Sequence, residues 1–500
     1  MKTKRLLISW IVLMVLSLQF HLQAQNENSL TLHIEPAGKL KSLVGDKVEE
    51  VTSLTLTGKL NGSDIEIIRE MKNLSFLDIG EVNIVKGGHY YYTTYDRLGK
   101  EVNHYTDNDI IGDYMFMGLF KLNEIIIPEN IIEIGNSAFE STAITSFEIS
   151  DNIVEVGNGA FGFCTQLTHL KIGKNITEIK SGTFNSCTRL SSVEIPDNIT
   201  HIRYGAFQAC TGLSNIAFGK NIVEIDDLAF HNCKSLTTLD IPSSVVKIGS
   251  STFYNCAGLT SINIGENVTE IGVGAFGHCT SLTQIEIPDN VVTIGYGAFQ
   301  YCTGLTDVNM GENVQEIGMD AFGFCPNLTT IDIPDNVSII KTRAFEYCSS
   351  LSSVNIGENV TDIETQVFMR CDKLENVYSE RPSPPTAASY SFPSSLDNCT
   401  LYIPKGSIDA YKVAPEWNRF TKMVEKDFTS MDDIETDGIT VIPILNGIRI
   451  TTGESVPVSI FTSIGQKVYE SQINGDTNII LNKGIYIVKI KEEAQKILIK

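Results

Sequence analysis

Eleven cysteines are the residues of this 500-residue chain best suited to covalent or metal chemistry. Ten of them, Cys164, Cys187, Cys210, Cys233, Cys256, Cys279, Cys302, Cys325, Cys348 and Cys371, recur at intervals of 23 residues. Coils stacked about 4.8 Å apart would bring neighbouring thiols within the Cα range of a disulfide, and an exported chain permits oxidation. A metal ladder needs a His or a second Cys at ligand spacing, and none recurs. A small apolar residue buried in every coil fits the column better, because Leu119 and Thr142 stand at the same position in two further units. The ten thiols are therefore read as free, buried and part of a structural core ladder. Cys399 lies outside the ladder.

No other constellation carries chemistry. The chain without its leader has seven histidines, His33, His89, His104, His169, His201, His231 and His278, and no H-E-x-x-H, G-x-S-x-G or G-x-x-x-x-G-K-[ST] occurs. The carboxylates are spread through turns, with no off-period pair of the glycosidase kind. Asp197-Asn198, Asp289-Asn290 and Asp335-Asn336 read as turns, since the Gly-rich nonapeptide of calcium-binding β-rolls is missing. No enzyme, cofactor or metal is expected. With 60 Asp and Glu against 38 Lys and Arg, the net charge of −22 disfavours nucleic acid.

The element that positions the thiols is a repeat. A Phe precedes each ladder Cys by three residues, and the column continues upstream through Phe139 to Phe116. A fixed period in this range marks a solenoid. In the unit Phe184–Ala206, the stretch L-x-x-V-x-I-P-x-N-I has the spacing of a leucine-rich repeat, with Asn198 at its Asn position. Ser192–Ile195 alternates, which predicts a short strand with Val193 and Ile195 inward. The residue after the strand alternates as Gly173, Pro196, Gly219, Pro242, Gly265, Pro288, Gly311, Pro334, Gly357, a superperiod of 46 residues. Pro lacks an N–H, so alternate coils must bond differently at this corner.

The pattern F-x-x-C-x-x-L-x-x-[VI]-x-[IMF]-[PG]-x-N-[VI] resembles the BspA-like leucine-rich repeats of bacterial surface proteins, over about 113–378. The resemblance implies a right-handed leucine-rich-repeat coil of short β-strands with N- and C-terminal caps. It also implies adhesion to host matrix proteins, glycans or other cells.

The ends depart from the period. Residues 1–24 have a basic start, an apolar run and a small-residue cleavage context at Ala24, the pattern of a secretory signal peptide. No second segment is long and apolar enough to span a membrane. Residues 25–112 read as an N-terminal cap, with a degenerate repeat in which Asp64 is expected to cap a helix from Ile65. Gly87–Asp109 forms a Tyr-rich excursion, and Tyr91 and Tyr92 are among its candidate binding residues. Residues 379–428 make a C-terminal cap in which Trp417 is expected to cover the core. An acidic linker, 429–438, leads to alternating strands over 439–500, a small all-β sandwich. That segment, P-V-x-I-F-x-x-x-G-Q-K-V-Y followed by G-I-Y-I-V-K-I, resembles the C-terminal sorting domain of type IX secretion. The resemblance implies that the type IX machinery is a partner and that the protein is secreted or held at the outer-membrane surface.

Two surfaces are candidates for binding. Outward strand positions stack into acidic and hydroxylic columns, Ser192/Glu194, Thr238/Asp240, Gln284/Glu286, Asp307/Asn309, Thr330/Asp332 and Ser353/Asn355. Aromatics lie off the core columns at Tyr204, Tyr254, Tyr296, Tyr301, Phe324 and Tyr347, the last three at equivalent positions in successive coils. The expected function is adhesin-like binding of extracellular proteins or glycans through the solenoid face. The alternatives are a surface or biofilm scaffold without a specific ligand, and an enzyme sited in the Gly87–Asp109 loop or the N-terminal cap, which no motif supports.

Overall fold

A computed structural model describes residues 28–426, 428, 434–436, 439–444, 447–462, 467–481, 484–490 and 493–499. The leader expected at 1–24 lies outside the described residues. The chain divides into two compact units, Met1–Leu236 and Thr237–Lys500.

The first unit opens with a parallel sheet in the order Ser29–Ile34, Ser53–Leu60, Phe76–Ile84, Glu124–Ile126. Helix Gly62–Glu70 is started by Asn61, not by Asp64: the Asn61 side chain accepts the Ser63 N–H at 3.1 Å. Asp64 is fully buried and accepts the N–H groups of Asn61, Gly38 and Leu40 at 3.0, 2.6 and 2.9 Å. One carboxylate thus completes the capping box and satisfies the entry to the preceding helical turn. The Tyr-rich excursion is an antiparallel hairpin, Gly87–Tyr95 with Glu101–Thr106.

Short coils follow. In each, a three-residue strand such as Ser192–Glu194 forms one side, a two-residue strand such as His201–Ile202 a second, and the F-x-x-C turn a third. Val193 and Ile195 point inward and are buried, while Ser192 and Glu194 face out. The core is built from columns. Phe116, Phe139, Phe161, Phe184, Phe207 and Phe230 stack in the first unit with ring centroids 5.2–5.5 Å apart.

The second unit continues the same architecture from its own first coil, with Phe253 to Phe368 stacked at 5.1–5.5 Å. Its two-residue strands, Lys247–Ile248 through Thr386–Ala387, pair in one parallel run. Its three-residue strands do not. Thr238–Asp240 pairs with Ser261–Asn263, and Gln284–Glu286 pairs with Asp307–Asn309, but the two ribbons are not hydrogen-bonded to each other.

The proline alternation explains these seams. Gly357 N–H donates backward to Ile333 O at 3.1 Å. Pro288 and Pro334 have no N–H to do the same, so the ladder breaks in front of each. The proline coil bonds forward instead, Ile241 N–H to Asn263 O at 2.9 Å and Ile287 N–H to Asn309 O at 2.8 Å. The next coil must then be Gly. A Cβ on Gly265 or Gly311 would lie 2.3 Å from the carbonyl oxygen of Pro242 or Pro288.

From Thr330 onward five parallel strands run to Lys422–Lys426. Trp417 is fully buried at this end, donating its indole N–H to Pro385 O at 2.8 Å and meeting Phe392 edge-on. Beyond it lies an all-β region of six antiparallel strands, Ile434–Thr436 to Glu493–Ile499. Its long strand Gly447–Thr462 carries Ile448, Ile450, Val456, Val458 and Ile460 into a core of its own.

Candidate binding surfaces

All eleven thiols are buried and in the reduced form. The ladder thiols do more than fill space. Cys187 Sγ donates to Phe161 O of the preceding coil at 3.3 Å, and the contact recurs from Cys302 to Phe276 O and from Cys371 to Phe345 O, each at 3.2 Å. Thr142, at the same position, donates instead to Phe139 O of its own coil at 2.9 Å. Burial pushes the thiols of Cys164, Cys302 and Cys348 up to about 12. The thiolate that a nucleophile or metal ligand requires is therefore disfavoured. Among the described residues, no three His, Cys, Asp or Glu side chains converge as a metal site would require.

The hairpin of the first unit corrects one expectation. Tyr91 is buried, with its hydroxyl donating to Asp113 O at 2.8 Å, so it is a packing residue. Tyr92 lies under the Arg69 guanidinium, 4.4 Å from the ring centroid, and against Tyr114 at 5.3 Å. Arg69 also donates to Tyr114 O and to Met115 O. Tyr92 thus pins the hairpin to helix Gly62–Glu70, and Tyr91 pins it to the turn at Asp113. Tyr204 is exposed, with Ser181 and Asp227 at its position in the flanking coils.

The second unit gathers the remaining aromatics on its turn face. The residue before each ladder Cys has a left-handed backbone, φ 58° at Asn255, 60° at His278, 61° at Tyr301 and Phe324, 59° at Tyr347 and 65° at Arg370. Asn suits this conformation, whereas a bulky side chain is an outlier there. Four successive coils nevertheless carry His278, Tyr301, Phe324 and Tyr347. Their rings stack with centroids 4.6, 4.6 and 4.8 Å apart and interplanar angles of 23°, 17° and 12°. Tyr254 tilts onto His278 at 5.0 Å. His278, Tyr301 and Phe324 are half-buried and Tyr347 is exposed.

A second column runs three residues before each core Phe. There Val273, Tyr296 and Met319 are 47%, 48% and 39% exposed in adjacent coils. At the far end Arg343 makes a bidentate pair with Asp320, 2.8 Å at both bonds, although Asp320 is only 2% exposed. Sequence reasoning found Tyr254, Tyr296, Tyr301, Phe324 and Tyr347 but missed His278, Val273 and Met319. The 23-residue step alone places His278 in the column.

The strand face is polar. In register run Asp240, Asn263, Glu286, Asn309, Asp332 and Asn355, and then Tyr378 and Tyr402, whose rings stack at 4.5 Å. The tyrosine pair escaped the sequence reading because one extra residue makes the step from Tyr378 to Tyr402 24. In the first unit the same face forms a groove of about 630 Å³ over Ile126, Phe147, His169 and Lys171, with Lys171 paired to Glu148.

The family model for the BspA type leucine rich repeat region matches residues 90–214, 177–302 and 269–397. The chain belongs to the BspA-type leucine-rich repeat family. BspA-type proteins are typically secreted or on the cell surface, and no catalytic family is indicated. Among solved structures, a leucine-rich repeat protein from Bacteroides ovatus is 24% identical with a TM-score of 0.61, covering 76% of this chain and 93% of that one. A leucine rich cell surface protein from Faecalibacterium prausnitzii is 26% identical with a TM-score of 0.39, covering 59% and 94%. The leucine-rich repeat protein of T. pallidum is 31% identical with a TM-score of 0.29, covering 31% and 72%. No curated protein matches the chain. Among the described residues, no helix of this BspA-type chain is long and apolar enough to cross a membrane.

Proposed function

We propose that this BspA-type protein is exported to the cell surface or beyond and works there as an adhesin-like binding protein without enzymatic activity. Its partner is an extracellular protein, of a host or of a neighbouring bacterium, held by the turn face around Tyr301. One observation carries the reading. His278, Tyr301, Phe324 and Tyr347 occupy, in four successive coils, a left-handed backbone position where the other ladder coils place Asn, Ser or Ala, apart from the isolated Phe163 and Arg370. Strained residues of this kind are kept where the surroundings over-determine them, commonly at recognition sites. Val273, Tyr296 and Met319 add exposed apolar surface, the mark of an interaction site.

The stacking favours a protein over a glycan. Rings 4.6–4.8 Å apart cover each other's faces, leaving edges and the tyrosine hydroxyls outward. Sugar stacking uses ring faces, whereas a protein partner packs against edges and bonds the hydroxyls. The resemblance of 439–500 to a type IX sorting domain supports export by that machinery, with this domain as the address.

The test is a binding screen of the full chain against immobilised matrix proteins, mucin glycans and bacterial cells. Tyr301→Asn and Phe324→Asn install a residue that Asn255 already carries at this position, so the coil is preserved. Saturable binding to a protein, lost in the double variant at unchanged thermal stability, supports the reading. Saturable binding that survives the variants overturns the site. No saturable binding points to a scaffold in which the solenoid is a spacer.

A further inference from the structure

The superperiod does more on the strand face than alternate Pro with Gly. In the second unit every proline coil presents a carboxylate at the second outward strand position, Asp240, Glu286 and Asp332. Every glycine coil presents an amide there, Asn263, Asn309 and Asn355. Packing does not require this alternation, because the side chains point away from the core. Asp240, Asn263 and Glu286 are exposed, and among the described residues neither Asp240 nor Glu286 takes part in an ion pair. Tyr378 and Tyr402 end the same column.

We infer that this column is a docking track for a polypeptide in the polyproline II conformation that carries a basic side chain at every third residue. Carboxylates two coils apart are separated by about 9.6 Å at the ordinary strand spacing. Stacked rings of successive coils in this unit lie 4.5–5.5 Å apart, which brackets that step. A polyproline II helix repeats every three residues, or about 9.3 Å. A ligand lying along the solenoid axis, across the strands, then meets one carboxylate per turn. The amides of Asn263 and Asn309 bond its fully solvated backbone groups, which have no internal partners, while Asn355 donates to Glu380 Oε1 at 3.1 Å. The stacked tyrosines at its end, 4.5 Å apart, present ring edges and hydroxyls that can donate to its carbonyl groups. From Asp240 to Tyr402 the track spans about 34 Å, room for about eleven residues. Charge selects this occupant over a glycan, since neutral or acidic sugars gain nothing from an acidic column. The track shares no residue with the turn face, so the two readings fail separately.

The probes are synthetic peptides of repeated Lys-Pro, Lys-Pro-Pro and Lys-Pro-Pro-Pro with equal numbers of lysines, measured by fluorescence anisotropy on the full chain. Lys-Pro-Pro should bind about tenfold more tightly than the other two, the worth of three registered surface ion pairs. The triple variant Asp240→Asn, Glu286→Gln, Asp332→Asn should remove that preference. Glu270→Gln, Glu316→Gln, Asp362→Asn, on the two-residue strands, should keep it. Equal affinity for the three peptides would mean that the alternation only spaces like charges, and overturns the inference. So does tighter binding of an uncharged β-linked polysaccharide that the first triple variant abolishes. Absence of the peptide preference in the unaltered chain, with partner binding intact at Tyr301, removes the track alone.

Discussion

Gly311 lies beneath Pro288 so closely that a Cβ on it would stand 2.3 Å from the proline carbonyl oxygen and 2.9 Å from that of Ile287. Both neighbours are backbone and cannot step aside cheaply. Gly311→Ala should therefore cost about 1–3 kcal/mol, the range for overpacking a close-packed site. Gly323 is the control: its nearest atom to an added Cβ is 3.4 Å away and its φ lies outside the left-handed region. Gly323→Ala should be neutral or stabilising by about 0.5 kcal/mol. Urea midpoints of the two variants check the pair, and equal midpoints would remove the steric account of the superperiod.

That account shows how far the sequence could be read. The Phe and Cys columns were legible because each coil is the template for the next and its inward residues recur at 23. The Pro/Gly alternation was equally visible, but its cause is a contact between coils that no single repeat contains. Tyr91 was unreadable for a different reason. It sits on an off-period hairpin, where no neighbouring coil says which face is buried. Asp64 was misplaced as a helix cap because Asn61, three residues earlier, takes that role and leaves Asp64 to three backbone donors. On the turn face, period alone puts Tyr301, Phe324 and Tyr347 in one column. It does not reveal the left-handed backbone that makes their presence unusual.

The thiol ladder predicts a stability loss in alkali. Burial raises Cys302 and Cys348 from an ordinary 9.0 to about 12. Between those values the unfolded chain releases protons that the folded chain keeps. The stabilisation is thus complete below about pH 9 and lost as pH rises to about 12. Tyrosines and lysines titrate in the same window, so the slope must be compared between variants. Cys302→Thr places there the residue that Thr142 already carries at this position, with a hydroxyl that can donate to the Phe carbonyl of its own coil, and removes one titrating thiol. Its denaturation midpoint should fall less steeply over this range, and an unchanged slope would mean that Cys302 is not protected.

Arg343 and Asp320 should be strongly coupled. The guanidinium donates twice to a carboxylate that is 2% exposed, with Glu346 Oε2 3.9 Å away. Arg343→Met strands the buried charge and should cost about 3 kcal/mol. Adding Asp320→Asn should recover more than half. A double-mutant cycle in thermal unfolding checks this, and additivity would show that the pair is uncoupled.

Phe322 and Phe324 are two residues apart and should answer to substitution in opposite ways. Phe322 is fully buried in the core stack between Phe299 and Phe345, at 5.1 and 5.4 Å. Phe322→Ala removes a ring from a close-packed column and should cost about 3–5 kcal/mol. Phe324 is half-buried between Tyr301 and Tyr347 and holds φ at 61°. Phe324→Gly gives up two stacking contacts worth about 0.5–1.5 kcal/mol each but relieves about 1–2 kcal/mol of left-handed strain. The two effects nearly cancel, so its unfolding midpoint should move by less than the equivalent of about 1 kcal/mol. If Phe324→Gly instead destabilises as much as Phe322→Ala, the aromatic column is part of the core. The turn face then loses its claim to be a binding surface, because its rings would be kept for packing alone.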